Sequence, residues 1–93
     1  MIASDCKLRR NEDIAWRAVE DEGLLVDPRK GQVYPLDPVA LRLWQMSEGK
    51  LTFSEIVSTL LQEYDVSEQD LRRDLSSYVE ELKSADLLSV VAP

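Results

Sequence analysis

Residues 24–44 read LLVDPRKGQVYPLDPVALRLW, and the fold turns on this stretch. Leu24 to Asp27 is a short apolar strand, and Pro28, Arg29, Lys30 and Gly31 supply the chemistry of a turn. Proline fixes φ early in such a turn, and glycine tolerates positive φ at its end. Gln32 to Leu36 is a further strand, so the two form a hairpin. Pro35 cannot donate to a ladder, which puts its strand at a sheet edge or the proline near the strand's end. Asp37 followed by Pro38 is an N-cap with proline at the first helical position. Val39, Leu43 and Met46, with Ala40 and Trp44, have the three-and-four spacing of a buried helical face, and Gly49 is expected to end that helix.

Working outward, Ile14 to Glu20 (IAWRAVE) alternates, with Ile14, Trp16 and Ala18 on one face, as a strand does. Asp21, Glu22 and Gly23 form the expected turn after it. Met1 to Asp13 is polar and mixed in charge. It is expected to be a tail, leaving residues 14–91 as the domain. On the other side, Thr52 and Glu55 make a capping box. Phe53, Ile56, Val57, Leu60 and Leu61 form the stripe of a second helix. Ser67 caps a third, in which Leu71, Leu75, Tyr78, Val79 and Leu82 recur at helical spacing to about Ala85. Leu87 to Val91 is a final extended segment or a packed tail. Strands and helices are segregated, so the class is α+β: an N-terminal three-stranded antiparallel sheet followed by three helices, winged-helix-like but with its hairpin ahead of the helices.

Composition narrows the function. Ninety-three residues form one domain with one modest core. Histidine is absent and Cys6 is the single cysteine. That removes the commonest general base and zinc ligand and every Ser-His or Cys-His pair. No catalytic residue, metal or cofactor is expected. The net charge of -7 weighs against phosphate backbones and can attract a basic peptide. The third helix carries Arg72, Arg73 and Lys83 against Glu68, Asp70, Asp74, Glu80, Glu81 and Asp86, so it is a poor recognition helix for DNA. No apolar run is long enough to span a bilayer, and no signal-type stretch opens the chain, so a cytoplasmic protein is expected.

The hairpin, the Tyr34-x-Leu36 strand, the Asp37 cap and Trp44 in the first helix resemble the PqqD-like family, also called the RiPP precursor peptide recognition element. Gly49, Thr52, Glu55, Ile56, Leu60, Tyr64 and the segment from Asp74 to Leu88 fit the same spacing, so the resemblance runs from Leu24 to Leu88. Asp37 departs from the asparagine frequent in the family, and Pro35 is unexpected there. The resemblance implies a non-catalytic domain that takes the leader of a ribosomal precursor peptide as an added strand. It implies delivery of that peptide to a modifying enzyme, a protease and cyclase of lasso-peptide type, a radical S-adenosylmethionine enzyme or an enzyme of pyrroloquinoline quinone synthesis.

The site expected on this basis lies between the third strand and the third helix. Gln32, Val33, Tyr34 and Pro35 offer the edge, Pro35 only through its carbonyl. Leu71, Arg72, Leu75, Ser76 and Val79 are candidates for the groove wall, although Leu75 and Val79 equally fit a core stripe. Arg72 and Arg73 would pair acidic leader residues or else bridge their own helical neighbours. Trp44 is read as core; Trp16 fits either a core cap or an exposed partner surface. An open strand edge also pairs with its twin, so an interaction module or homodimer stays open as the alternative.

Overall fold

The computed structural model describes residues 2–93. Nine elements follow in chain order: β1 (Lys7–Arg10), β2 (Ala15–Val19), β3 (Glu22–Asp27), β4 (Gln32–Leu36), α1 (Pro38–Met46), β5 (Glu48–Thr52), α2 (Phe53–Glu63), α3 (Glu68–Ser84) and β6 (Leu88–Val91). They make an α+β fold with two antiparallel three-stranded sheets, ordered β2-β3-β4 and β5-β1-β6.

The first sheet is the expected one. β3 pairs with β4 from Gly23↔Leu36 to Asp27↔Gln32, closed by a turn in which Gly31 takes φ 64° and its N–H donates to the Asp27 carbonyl at 2.9 Å. The turn between β2 and β3 is shorter than expected. It consists of Glu20 and Asp21, and Glu20 itself adopts φ 58°. Gly23 therefore sits inside β3 rather than in the turn. A Cβ there would come within 2.7 Å of Leu41 Cδ1, so the glycine lets α1 lie close on the sheet.

The second sheet corrects the expected tail over residues 1–13. Lys7–Arg10 is its central strand, with Leu8 fully buried and Ile2 and Ile14 in the same core. Met1 lies outside the described residues. Gly49 does not end the first helix either. That helix stops at Met46 with Ser47 as its C-cap, and Gly49, at φ 81°, belongs to β5. Ser47 ties the helix end to the sheet: its hydroxyl donates to the Leu43 carbonyl at 2.6 Å, and its own carbonyl accepts from the Arg10 N–H at 2.8 Å. The segment after α3 resolves as strand β6, paired with β1 from Lys7↔Val91 to Arg10↔Leu88.

The helices begin where capping chemistry places them. Asp37 accepts from the Ala40 N–H at 2.8 Å. Thr52 and Glu55 make both halves of a capping box, and Ser67 accepts from the Asp70 N–H at 3.1 Å. Their apolar stripes converge on one core holding Leu8, Leu25, Leu43, Trp44, Phe53, Ile56, Leu60, Leu75, Val79 and Leu87, each at most 1% exposed. Burial of each large side chain contributes roughly 1.5–3 kcal/mol before the entropy of ordering is subtracted. Trp44 is in the core, as read. Trp16 is exposed at 38% and carries the Arg10 guanidinium over its ring at 5.3 Å.

Candidate functional site

β4 has a partner on one flank only. Backbone flanks alternate along a strand, so Gln32, Tyr34 and Leu36 turn to one side, and Val33 and Pro35 to the other. A paired proline keeps its missing donor away from the ladder. The flank carrying Pro35 is therefore the vacant one, offering the Val33 N–H and C=O and the Pro35 C=O. Side chains alternate as well. Leu36 is buried and Tyr34 half-buried on the inner face, while Val33, 55% exposed, and Pro35 lie on the outer face.

Beside β4, a groove of about 390 Å³ runs along α3, lined by Glu22, Pro35, Leu36, Asp37, Ala40, Tyr78, Glu81 and Leu82. Polar contacts tie α3 to the β3–β4 turn and to the start of α1. At the hairpin turn, Arg29 grips the buried Asp27 carboxylate through Nε and Nη2, at 3.0 and 3.1 Å. It also donates to the Asp86 carboxylate at 3.1 Å and the Asp86 carbonyl at 3.2 Å. Lys30 Nζ donates to the Ala85 carbonyl at 2.9 Å. Two cations thus meet the carbonyl end of α3, where the helix dipole favours them. Hydrogen bonds from Arg29 hold the Asp27 carboxyl below the usual carboxylate range against the opposing effect of burial. At the start of α1, the Tyr78 hydroxyl donates to Asp37, whose second oxygen caps the helix. That hydrogen bond, with burial and the nearby carboxylates of Asp37, Asp74 and Glu81, pushes the Tyr78 phenol up to about 12.

The expected site residues separate into three groups. Gln32, Val33, Tyr34 and Pro35 lie together along β4. Leu71, Leu75 and Val79 do not wall a groove: they are 3%, 0% and 0% exposed and belong to the core, which their four-residue spacing serves. Arg72 and Ser76 lie on the far flank of α3. There they line a separate cavity of about 480 Å³ with Ile2, Ser4, Phe53, Gln69, Arg73 and Glu80. Arg72 is paired with Glu68 at 2.9 Å, and Arg73 contacts Asp70 at 3.3 Å and Asp74 at 3.7 Å. The α3 face beside β4 is instead Tyr78, Glu81 and Leu82; the sequence placed Tyr78 and Leu82 in the core stripe and Glu81 among the helix acids, and none of them at the site. Their signal was the three-and-four spacing of a second face next to the core stripe, with Tyr78 on the border of both.

Fold and site define a class, a small α+β domain whose vacant strand edge opens onto a groove walled by its longest helix. Residues 22–88 match the family described as "Coenzyme PQQ synthesis protein D (PqqD)". The chain belongs to that family. Among solved structures it is similar to "TbiB1 in Complex with the TbiA(beta) Leader Peptide", at 27% identity and TM-score 0.80, over 91% of this chain and 99% of the other. It has the fold of "Lasso peptide synthetase B1 complexed with the leader peptide", at 24% identity and TM-score 0.74, over 89% and 98% of the two chains. It has the same fold as a part of "Structure of the heterocyclase TruD", at 20% identity and TM-score 0.65, over 95% of this chain and 12% of that one. No curated protein matches the chain. Among the described residues no helix is long and apolar enough to cross a membrane.

Proposed function

We propose that this chain is a non-catalytic leader-peptide receptor that takes an extended peptide as a fourth strand on the vacant flank of β4. The observation that carries this reading is the unpaired Val33–Pro35 flank beside the α3 groove, in a chain similar over 91% of its length to TbiB1, which was captured with a leader peptide. Strand addition draws its affinity from main-chain bonds and its specificity from pockets for alternate side chains. With Pro35 on this flank, the local edge offers one N–H and two carbonyls, each bond worth roughly 0.5–1.5 kcal/mol net. Ordering a flexible leader costs several kcal/mol, so apolar burial in the groove must supply the balance. Two leader side chains burying against Pro35, Leu36, Ala40 and Leu82 would add a few kcal/mol at about 25 cal/mol per Å².

The receptor reading extends to delivery. The bound peptide is handed to a modifying enzyme, of lasso-peptide protease and cyclase type or of radical S-adenosylmethionine type in preference to the cofactor pathway, in a cytoplasmic setting. The leading hairpin and three helices are a winged-helix-like frame put to peptide rather than DNA recognition, in keeping with the net charge of -7. The experiment is a titration with the leader segment of a candidate precursor peptide, sought in the reading frames that neighbour the one for this chain. One-to-one binding that protects β4 amides supports the receptor. A chain that forms edge-paired dimers and leaves the leader unbound overturns it.

A further inference from the structure

Three carboxylates line the groove beside β4, from Glu22, Asp37 and Glu81, and among the described residues no lysine or arginine does. Asp37 is committed, one oxygen to the Ala40 N–H and the other to the Tyr78 hydroxyl. On the hairpin turn Arg29 is committed to Asp27 and Asp86 and Lys30 to the Ala85 carbonyl, and Arg17 on β2, diagonal to Glu22 on the outer face of the sheet, makes no ion pair with it among the described residues and does not line the groove. Arg72 and Arg73 lie on the other flank of α3, against Glu68, Asp70 and Asp74. Glu22 and Glu81 remain. Both are exposed, and neither has an ion pair within the described residues. They flank a floor made of Pro35, Leu36, Ala40 and Leu82.

We propose that Glu22 and Glu81 set the specificity of the groove for a peptide bearing a lysine or arginine where the guest strand passes between them. This rests on the reading of β4 as the receiving edge. A long basic side chain fits both features of the groove, since its methylene stem lies on the apolar floor while its charged head reaches the carboxylates at the rim. The same two carboxylates repel an acidic side chain at that position. Attraction is stronger beside an apolar wall than in open water, because the local dielectric is lower. The net charge of -7 brings basic segments to the surface in the first place. The preference is thus opposite to the one that Arg72 and Arg73 would have imposed from the groove wall.

The test is a selection of random decapeptides by messenger-RNA display on the full chain, run in parallel on the Glu22→Lys/Glu81→Lys variant and on Val33→Pro. Both glutamates are exposed, so the double variant keeps the fold, which circular dichroism verifies. Peptides selected by the unaltered chain are expected to carry lysine or arginine at one fixed place in an alternating apolar pattern. A synthesised hit should bind the double variant at least 10-fold more weakly at 50 mM salt. The gap should narrow at 500 mM, where exposed charges are screened. Peptides that need the Val33 flank but show no basic preference overturn the specificity and leave the receptor reading standing. No selected peptide at all, or peptides indifferent to Val33→Pro, overturn both.

Discussion

Val33→Pro separates the vacant flank of β4 from its paired one. The Val33 N–H points away from β3, so proline there removes a donor that the free protein does not use. Its fixed φ is compatible with an edge strand, and β4 already accommodates Pro35 two residues on. Stability should then change by less than about 1 kcal/mol. Binding loses one main-chain bond, worth roughly 0.5–1.5 kcal/mol, which is about 2- to 13-fold in Kd. The proline ring also stands where the guest backbone approaches, so the observed loss should lie at or above the upper end. The companion Tyr34→Pro removes a donor from the β3 ladder and should destabilise the fold itself. Leader titration by fluorescence anisotropy, with urea melts of both variants, reads the two effects. A folded Val33→Pro protein that binds with unchanged affinity would refute the flank assignment, as would one that no longer folds.

Other consequences follow from the same geometry. Leu75→Ala, at a position with no exposure, should cost about 2–5 kcal/mol in denaturant melts; a loss of leader affinity with no loss of stability would return Leu75 to the groove wall. Thr52→Ala removes the capping box of α2 and should cost about 1 kcal/mol, again read by urea melts. Of the three tyrosines, Tyr78 should titrate at about 12 in ultraviolet absorbance because it donates to Asp37, and Asp37→Asn should bring it back toward 10. A phenol raised in the folded state stabilises below its ordinary pKa, so this contribution is present up to about pH 10 and is lost as pH rises through about 12. Asp27 behaves in the opposite sense. Its carboxyl is lowered by Arg29, so its contribution is present above the ordinary carboxylate range and is lost as pH falls through the lowered value. Arg29→Ala should remove that acid dependence in pH-resolved melts.

The hairpin, the caps and the helical stripes were legible because each rests on local chemistry: Pro28 and Gly31 at the turn, Asp37, Thr52 and Ser67 at helix starts, and regular spacing of buried residues. The second sheet was not. β1 (KLRR) buries Leu8 alone, and β5 (EGKLT) buries none of its residues fully. Neither strand alternates enough to be told from a loop. Their pairing depends on residues far apart in the chain, with Arg9 opposite Glu48 and Ser89. Gly49 misled because positive φ serves a helix cap and an irregular strand equally well. In the site, the strand half was readable from Pro35. The helix half was not, because spacing shows that α3 has an apolar face but not which neighbouring face meets β4. Arg72 and Ser76 stand on one side of the core stripe, and Tyr78 and Glu81 on the other.

Amide exchange at Val33 tests the central claim most directly. In the free protein its N–H should exchange faster than that of Tyr34, whose partner is β3, and addition of a saturating leader should slow it by an order of magnitude or more. A Val33 amide that is already protected without peptide, or that stays fast while the leader is bound, would contradict the account.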